Sequence, residues 1–155
     1  MRKKTYLISA AIALGVGGLS AFLSRGGMAA YENINKPPLS PPGIVFPIVW
    51  TVLFILMGIS SAMIYEKRSE NPEEAGGALI IYALQLIVNF FWSIIFFNMR
   101  AYLFAFVWLL LLLGLIITMT ISFRKLSKTA AYLNFPYILW VIFAGYLAFG
   151  VYLLN

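Results

Sequence analysis

A chain of 155 residues that is 63% hydrophobic and only 10% charged, with a net charge of +6, carries more apolar surface than a soluble domain of its size can hide, since such domains are about 25% charged; lipid is the solvent that fits. It has no cysteine and no histidine, which excludes a disulfide framework, zinc hydrolysis, Ser–His–Asp chemistry and histidine-ligated haem. Its five carboxylates, Glu32, Glu66, Glu70, Glu73 and Glu74, lie outside the apolar runs, so the buried proton relays of ion-coupled pumps are missing, and its basic residues gather at the ends of those runs, a pattern of membrane topology and not of nucleic-acid binding.

Five runs reach the roughly 20 apolar residues that a transmembrane helix needs: 6–23, 44–65, 78–97, 102–123 and 131–154. They predict an all-α membrane protein, a bundle of five transmembrane helices forming a single integral domain over 1–155, with 24–43 as its longest connection. The first run exceeds the about 7–15 apolar residues of a signal peptide and reads as a helix. Along it Ser9, Ala13, Gly17 and Ala21 recur every four residues. Such a row lets another helix approach closely, either within the chain or across a homodimer seam.

The connection that follows contains KPPLSPPG, with Pro37, Pro38, Pro41 and Pro42; fixed φ at these positions lowers the entropy lost on ordering the segment. Proline is tolerated at a helix start, so the second run opens after Pro41 and Pro42 and carries Pro47 in its first turn. Phe46, Trp50 and Phe54 then form one stripe at i, i+4, i+8. An interfacial aromatic belt accounts for Phe46, but Phe54 sits about 12 Å further along the axis. The stripe must therefore face lipid, another helix or a cavity.

In the third run Gln85, Asn89 and Ser93 share a face, flanked by Tyr82, Phe90, Trp92 and Phe96. Polar side chains in hydrocarbon need partners, so this row points into the bundle, as interhelical hydrogen bonds or as the polar wall of a ligand pocket. The short turn 98–101 makes the third and fourth helices antiparallel neighbours. The fourth run reads as mostly lipid-facing, with Thr118 and Ser122 turned inward. In the fifth, Asn134 is the expected N-cap and Pro136 fits the first turn. Trp140, Ala144 and Leu147 share a face, with room beside the indole for a helix or a flat ligand. Lys and Arg divide eight (Arg2, Lys3, Lys4, Lys67, Arg68, Arg124, Lys125, Lys128) against three (Arg25, Lys36, Arg100). This bias puts the N-terminus in the cytoplasm of a cell-membrane protein, with the C-terminus and loop 24–43 outside.

The double-proline loop running into GIVFPIVWTVLFILMG, then YALQLIVNFFWSIIFF, then LNFPYILWVIFAGYL, resembles the translocator protein family, also called the TspO/MBR or peripheral-type benzodiazepine receptor family, over essentially the whole chain. The resemblance implies a five-helix bundle, commonly a homodimer, with a pocket closed by the first loop. It implies ligands of two kinds, tetrapyrroles such as protoporphyrin IX and synthetic aromatic molecules. Carried over by motif, the ligand-binding residues are Tyr31, Pro41, Pro42, Phe46, Trp50, Phe54, Asn89, Phe90, Trp140, Phe143, Ala144 and Leu147. Two departures stand out: Ala148 occupies a position where the family usually has asparagine, and no basic residue follows Tyr146 or Tyr152, so the cholesterol motif of vertebrate members is absent. In this setting the proline-rich loop is expected to act as a semi-rigid lid, its alternative being a stiff linker into the second helix.

The expected function is a membrane receptor for porphyrins and aromatic drug-like ligands, with a stress or tetrapyrrole-regulatory role. No obligatory cofactor and no metal site are expected, and the partners are aromatic small molecules, the lipid bilayer and a second copy of the chain. One alternative is light-dependent porphyrin degradation, with Trp50 and Trp140 as catalytic electron donors. The other is tetrapyrrole transport, against which the sequence shows no gating charges, inverted repeat or broken helix.

Overall fold

The computed structural model describes residues 2–155. The helices are α1 (Arg2–Tyr31), α2 (Val45–Glu66), α3 (Pro72–Ser93), a π-helical turn Ile94–Asn98 that continues α3, α4 (Tyr102–Leu126), the short α5 (Lys128–Tyr132) and α6 (Phe135–Leu154). No strand occurs among the described residues. Five spans are long and apolar enough to cross a membrane, with α3 and its π turn forming one and α5 with α6 another. The chain is thus the all-α, multi-pass membrane bundle that its composition requires.

Several ends fall outside the expected bounds, each for a local reason. Helix α1 continues past residue 23 through Gly26 and Gly27 to Tyr31, so the long connection shrinks to residues 32–44. Gly27 does not break the helix: a Cβ there would collide with the Phe97 carbonyl, so the glycine permits close approach of α1 to the π turn. Past Tyr31, Lys36 Nζ donates to the carbonyls of Tyr31 (3.0 Å) and Glu32 (3.2 Å), satisfying groups that a helix C-terminus leaves open. Helix α3 starts at Pro72, ahead of residue 78, because proline suits the first helical position and Glu73 and Glu74 complement the positive end of the helix dipole. Asn134 does stand at the start of α6, but its side chain caps nothing. Its Nδ2 donates instead to Ser60 Oγ and Ala130 O, both at 3.0 Å. The side-chain cap belongs to Ser127, whose Oγ accepts from the Ala130 N–H at the start of α5.

The small-residue row of α1 is used inside the chain. Ala13 is fully buried, Gly17 lies under the Phe54 ring, and Gly58 of α2 sits against the Ala10 backbone and the Ser9 carbonyl. A second copy would have to use another face. Around the bundle α1 packs on α2 and on α3 with its π turn, α3 packs on α4, and α4 packs on α6. Helix α2 also meets α3 and, at its C-terminal end, the short α5, while along the rest of the α2–α6 seam the two backbones scarcely approach each other. Helix α4 turns Leu110, Leu111, Ile117 and Ile121 outward. Thr118 is exposed as well, contrary to its expected inward position, and donates to the Gly114 carbonyl at 2.8 Å. Thr120 is the buried threonine, bonded to Ile116 O, while Ser122 is half-buried. A threonine that satisfies its own hydroxyl within the helix has no need to face the interior.

Gly58→Leu should force α1 and α2 apart at Ala10 and cost about 1–3 kcal/mol, the usual range for overpacking. Thermal unfolding in detergent, followed by helix circular dichroism, should show a lower midpoint with an unchanged native spectrum.

Candidate functional site

The open seam between α2 and α6 is filled by rings. From α2, Phe46 meets Trp140 of α6 at 5.8 Å, and Trp50 meets the same indole edge-on at 6.4 Å between centroids. Trp50 also contacts Phe54 (5.7 Å), Trp92 of α3 (6.2 Å) and Tyr137 of α6 (6.1 Å). Toward the loop the cluster continues through Tyr31, which touches Phe46 at 5.3 Å and Phe97 at 5.9 Å. Trp92 stacks on Phe96 at 5.2 Å, and Phe143 extends the cluster from Trp140 at 5.6 Å. These spacings are the offset and edge-to-face contacts that aromatic pairs prefer.

Each helix delivers its rings by its own periodicity. Phe46, Trp50 and Phe54 are one i, i+4 stripe, and Tyr137, Trp140 and Ala144 share a face of α6 at spacings of three and four. The π turn at Ile94–Asn98 adds one residue to the helical repeat and brings Phe96 and Phe97 inward together; such turns recur at functional sites. The turn is held by Asn98 Nδ2, which donates to the Leu23 carbonyl at 2.7 Å.

Two polar features border the rings. The Tyr137 hydroxyl accepts from Asn89 Nδ2 (2.5 Å) and donates to Gln85 Oε1 (2.7 Å). The expected polar row of α3 is thus tied to α6, with Gln85 and Asn89 buried and Ser93 half-buried. The interhelical-bond reading of that row holds for Gln85 and Asn89. The second feature is a shortage: Trp92 Nε1 and Trp140 Nε1 are buried and find no hydrogen-bond acceptor among the described residues. Trp108 differs, since its Nε1 donates to the Val88 carbonyl at 2.7 Å. From the lipid side, a groove of about 450 Å³ between α2 and α6, lined by Val49, Leu53, Leu139, Trp140 and Phe143 among others, reaches the cluster.

Of the residues expected at the site, Tyr31, Phe46, Trp50, Phe54, Trp140 and Phe143 form a continuous set of ring contacts, and Asn89 joins through Tyr137. Ala144 and Leu147 are buried on α6. Pro41 and Pro42 lie where the loop enters α2, with the Pro42 carbonyl accepting from Val45 N–H. Phe90 is directed elsewhere: its ring packs on Phe91 at 5.1 Å and lines a groove with Val16 of α1, and its carbonyl accepts from Ser20 Oγ. One residue beyond Asn89 on a helix is a rotation of about 100°, enough to turn Phe90 toward α1. Sequence reasoning gave Tyr137 and Phe97 no role at the site and treated Trp92 and Phe96 only as flanking residues. The spacing of Tyr137 from Trp140 was the available signal; nothing in the sequence marks the π turn that presents Phe97.

Five apolar spans around a shared aromatic and polar core define a multi-pass membrane protein. The chain belongs to the TspO/MBR family, which it matches over residues 8–154. It is 36% identical over 148 residues to the "Tryptophan-rich protein TspO" of Chlorobaculum tepidum, covering 96% of this chain and 92% of that one. It is 35% identical over 137 residues to the "Translocator protein" of Bos taurus (88% and 81%) and 34% identical over 150 residues to "Protein CrtK" of Rhodobacter capsulatus (97% and 90%).

Tyr137→Phe removes the hydroxyl shared by Asn89 and Gln85. Interhelical hydrogen bonds in membranes average about 0.6 and reach about 1.7 kcal/mol, so with two bonds lost the expected destabilisation is about 1–2 kcal/mol. Denaturant unfolding in mixed micelles measures it, and a Gln85→Leu/Tyr137→Phe double variant should lose less than the sum of its parts.

Proposed function

We propose that this protein is a receptor for porphyrins, protoporphyrin IX among them, and for other flat aromatic molecules, bound between α2 and α6, and that it serves a stress or tetrapyrrole-regulatory role at the cell membrane. The observation that carries the reading is the aromatic cluster standing where two helix backbones fail to meet. Rings that hold helices apart can shift rotamer and admit another ring between them, and a flat apolar ligand gains from burial and from stacking on Trp50 and Trp140. The unpaired Trp92 and Trp140 N–H groups give such a ligand donors to satisfy, and a buried donor without an acceptor is costly until it finds one. Recognition rests on shape and stacking, since a chain without His or Cys has no strong iron ligand; metal-free porphyrin binds at least as well as haem.

Titration of the detergent-solubilised protein with protoporphyrin IX in the dark, read by tryptophan quenching, tests the reading. Trp50→Phe and Trp140→Phe should each weaken saturable binding roughly two- to tenfold, the equivalent of about 0.5–1.5 kcal/mol of ring contact, and Asn89→Ala should weaken it too. Identical binding by every variant contradicts the assignment.

The contact of Trp50 with both Trp92 and Trp140 favours a second reading, light-dependent porphyrin degradation. An excited porphyrin takes an electron from an indole, dioxygen adds to the resulting porphyrin radical anion, and return of one electron from that adduct to the indole radical cation restores the tryptophan and leaves an oxygenated, broken macrocycle, with dioxygen as the oxidant. Consumption of bound porphyrin under light by wild type, lost in the Trp50 and Trp140 variants, would establish it.

The asymmetry of basic residues supports a cytoplasmic N-terminus, with loop 32–44 outside. The chain lacks cysteine, so Leu39→Cys, at an exposed position, carries a unique thiol. A membrane-impermeant maleimide should label it in intact cells and should label Asn71→Cys only after lysis; the reverse pattern inverts the topology.

A further inference from the structure

The loop-side end of the bundle carries three cations, Arg25, Lys36 and Arg100, and one side-chain carboxylate, Glu32. Most of these charges are engaged within the chain. Arg25 Nη1 donates to the Phe22 carbonyl at 2.6 Å, and its guanidinium lies over the Phe22 ring. Lys36 Nζ donates to the carbonyls of Tyr31, Glu32 and Ile34. The Glu32 carboxylate accepts from the Gly43 N–H at 3.0 Å. Arg100 is the exception: among the described residues its guanidinium has neither a hydrogen-bond acceptor nor a carboxylate partner.

The fold gains nothing local from an arginine at this position. Arg100 has φ of +53°, a left-handed conformation that suits glycine and is unfavourable for a residue with a Cβ. Two residues on, α4 begins without a side-chain cap and with no acidic residue in its first turn, so the positive end of the helix dipole lies beside a positive side chain. A residue held against both preferences points to function. An anion satisfies the guanidinium and the helix end together.

The surroundings of Arg100 say which anion. With Tyr31, Phe96 and Phe97 it lines a narrow cleft at the loop-side end of the aromatic cluster. Tyr31 touches Phe96 at 6.4 Å and Phe46 at 5.3 Å, and Phe46 touches Trp140, so one ring separates the cleft from the α2–α6 seam. The Tyr31 hydroxyl is buried and has no hydrogen-bond partner among the described residues, a second polar group here that a ligand can satisfy. A flat ligand stacked on Trp50 and Trp140 turns its apolar edge toward the membrane centre. A carboxylate on that ligand is too costly to carry into hydrocarbon, so it lies at the aqueous end of the cluster, where Arg100 stands. We propose that Arg100 is the specificity-determining residue for flat aromatic ligands that bear a carboxylate. Its planar fork pairs with the carboxylate, so acidic porphyrins, which carry propionate side chains along one edge, are selected over neutral porphyrins. The proposal rests on the ligand reading given above and names the chemical class that the site prefers.

Protoporphyrin IX and its dimethyl ester share one macrocycle and differ in charge. Paired titrations in non-ionic detergent, in the dark, therefore isolate the carboxylates. Arg100→Gly should weaken binding of the diacid roughly three- to tenfold, the range for one charge-assisted pair at a partly solvated site, and leave binding of the diester unchanged. Trp50→Phe should weaken both alike. Arg100→Lys should keep part of the diacid affinity, since an ammonium supplies the charge without the fork. Because glycine relieves the left-handed backbone, Arg100→Gly should unfold at a midpoint no lower than that of wild type; a lower midpoint makes the arginine structural and overturns the proposal. Equal losses of diacid and diester in Arg100→Gly, or no loss of either, overturn it as well and leave the aromatic site standing. If wild type binds neither porphyrin, the ligand reading itself fails and the proposal falls with it.

Discussion

The bundle depends on an aromatic wedge. Glycine and alanine let α1 and α2 come within backbone contact, with Gly58 against Ala10, and α3, α4 and α6 pack in sequence around them. The remaining seam, α2 against α6, is closed by Phe46, Trp50 and Trp140 meeting ring to ring. Close packing of small residues has essentially one arrangement. A seam of large rings has several, because each ring pair is bound by about 0.5–1.5 kcal/mol beyond its burial and can be exchanged for another flat surface at little cost. The same bundle therefore has a rigid side and an adaptable side.

Polar bonds in hydrocarbon keep the adaptable side in register. Tyr137 joins Asn89 and Gln85 of α3 to α6, and Asn134 joins α6 to Ser60 of α2. Each is modest in energy, but together they fix the rotation of α6, and with it the direction in which Trp140 points. The π turn does the same for Phe96 and Phe97 at the end of α3. Above the rings, the loop between α1 and α2 is tied to both α1 and α6, so the seam is covered on its aqueous side while a groove leaves it open toward lipid.

Much of this was legible because helical periodicity is local. The stripe Phe46–Trp50–Phe54 and the row Gln85–Asn89 follow from spacing alone, and both turn out to face the interior. What was not legible depends on partners distant in sequence or on small changes of register. Tyr137 matters because its hydroxyl meets residues some fifty positions earlier. Phe97 is presented by a π turn that no composition rule announces. Phe90 was carried to the site by resemblance, and its position one residue past Asn89 turns it toward α1. The extension of α1 past residue 23 rests on Gly27 fitting against the distant Phe97 carbonyl, and Thr118, expected to turn inward, satisfies its hydroxyl on the Gly114 carbonyl of its own helix.

The chain has four tryptophans, and three of them, Trp50, Trp92 and Trp140, lie in the wedge, while Trp108 is bonded away from it to Val88. Labelling with 5-fluorotryptophan and recording fluorine resonances with and without protoporphyrin IX in the dark therefore tests the central claim directly. Ring currents of a macrocycle seated between α2 and α6 should shift the Trp50, Trp92 and Trp140 signals and leave Trp108 in place. A shift of Trp108 alone, equal shifts of all four, or no shift at saturating porphyrin would contradict a ligand site built on the aromatic wedge.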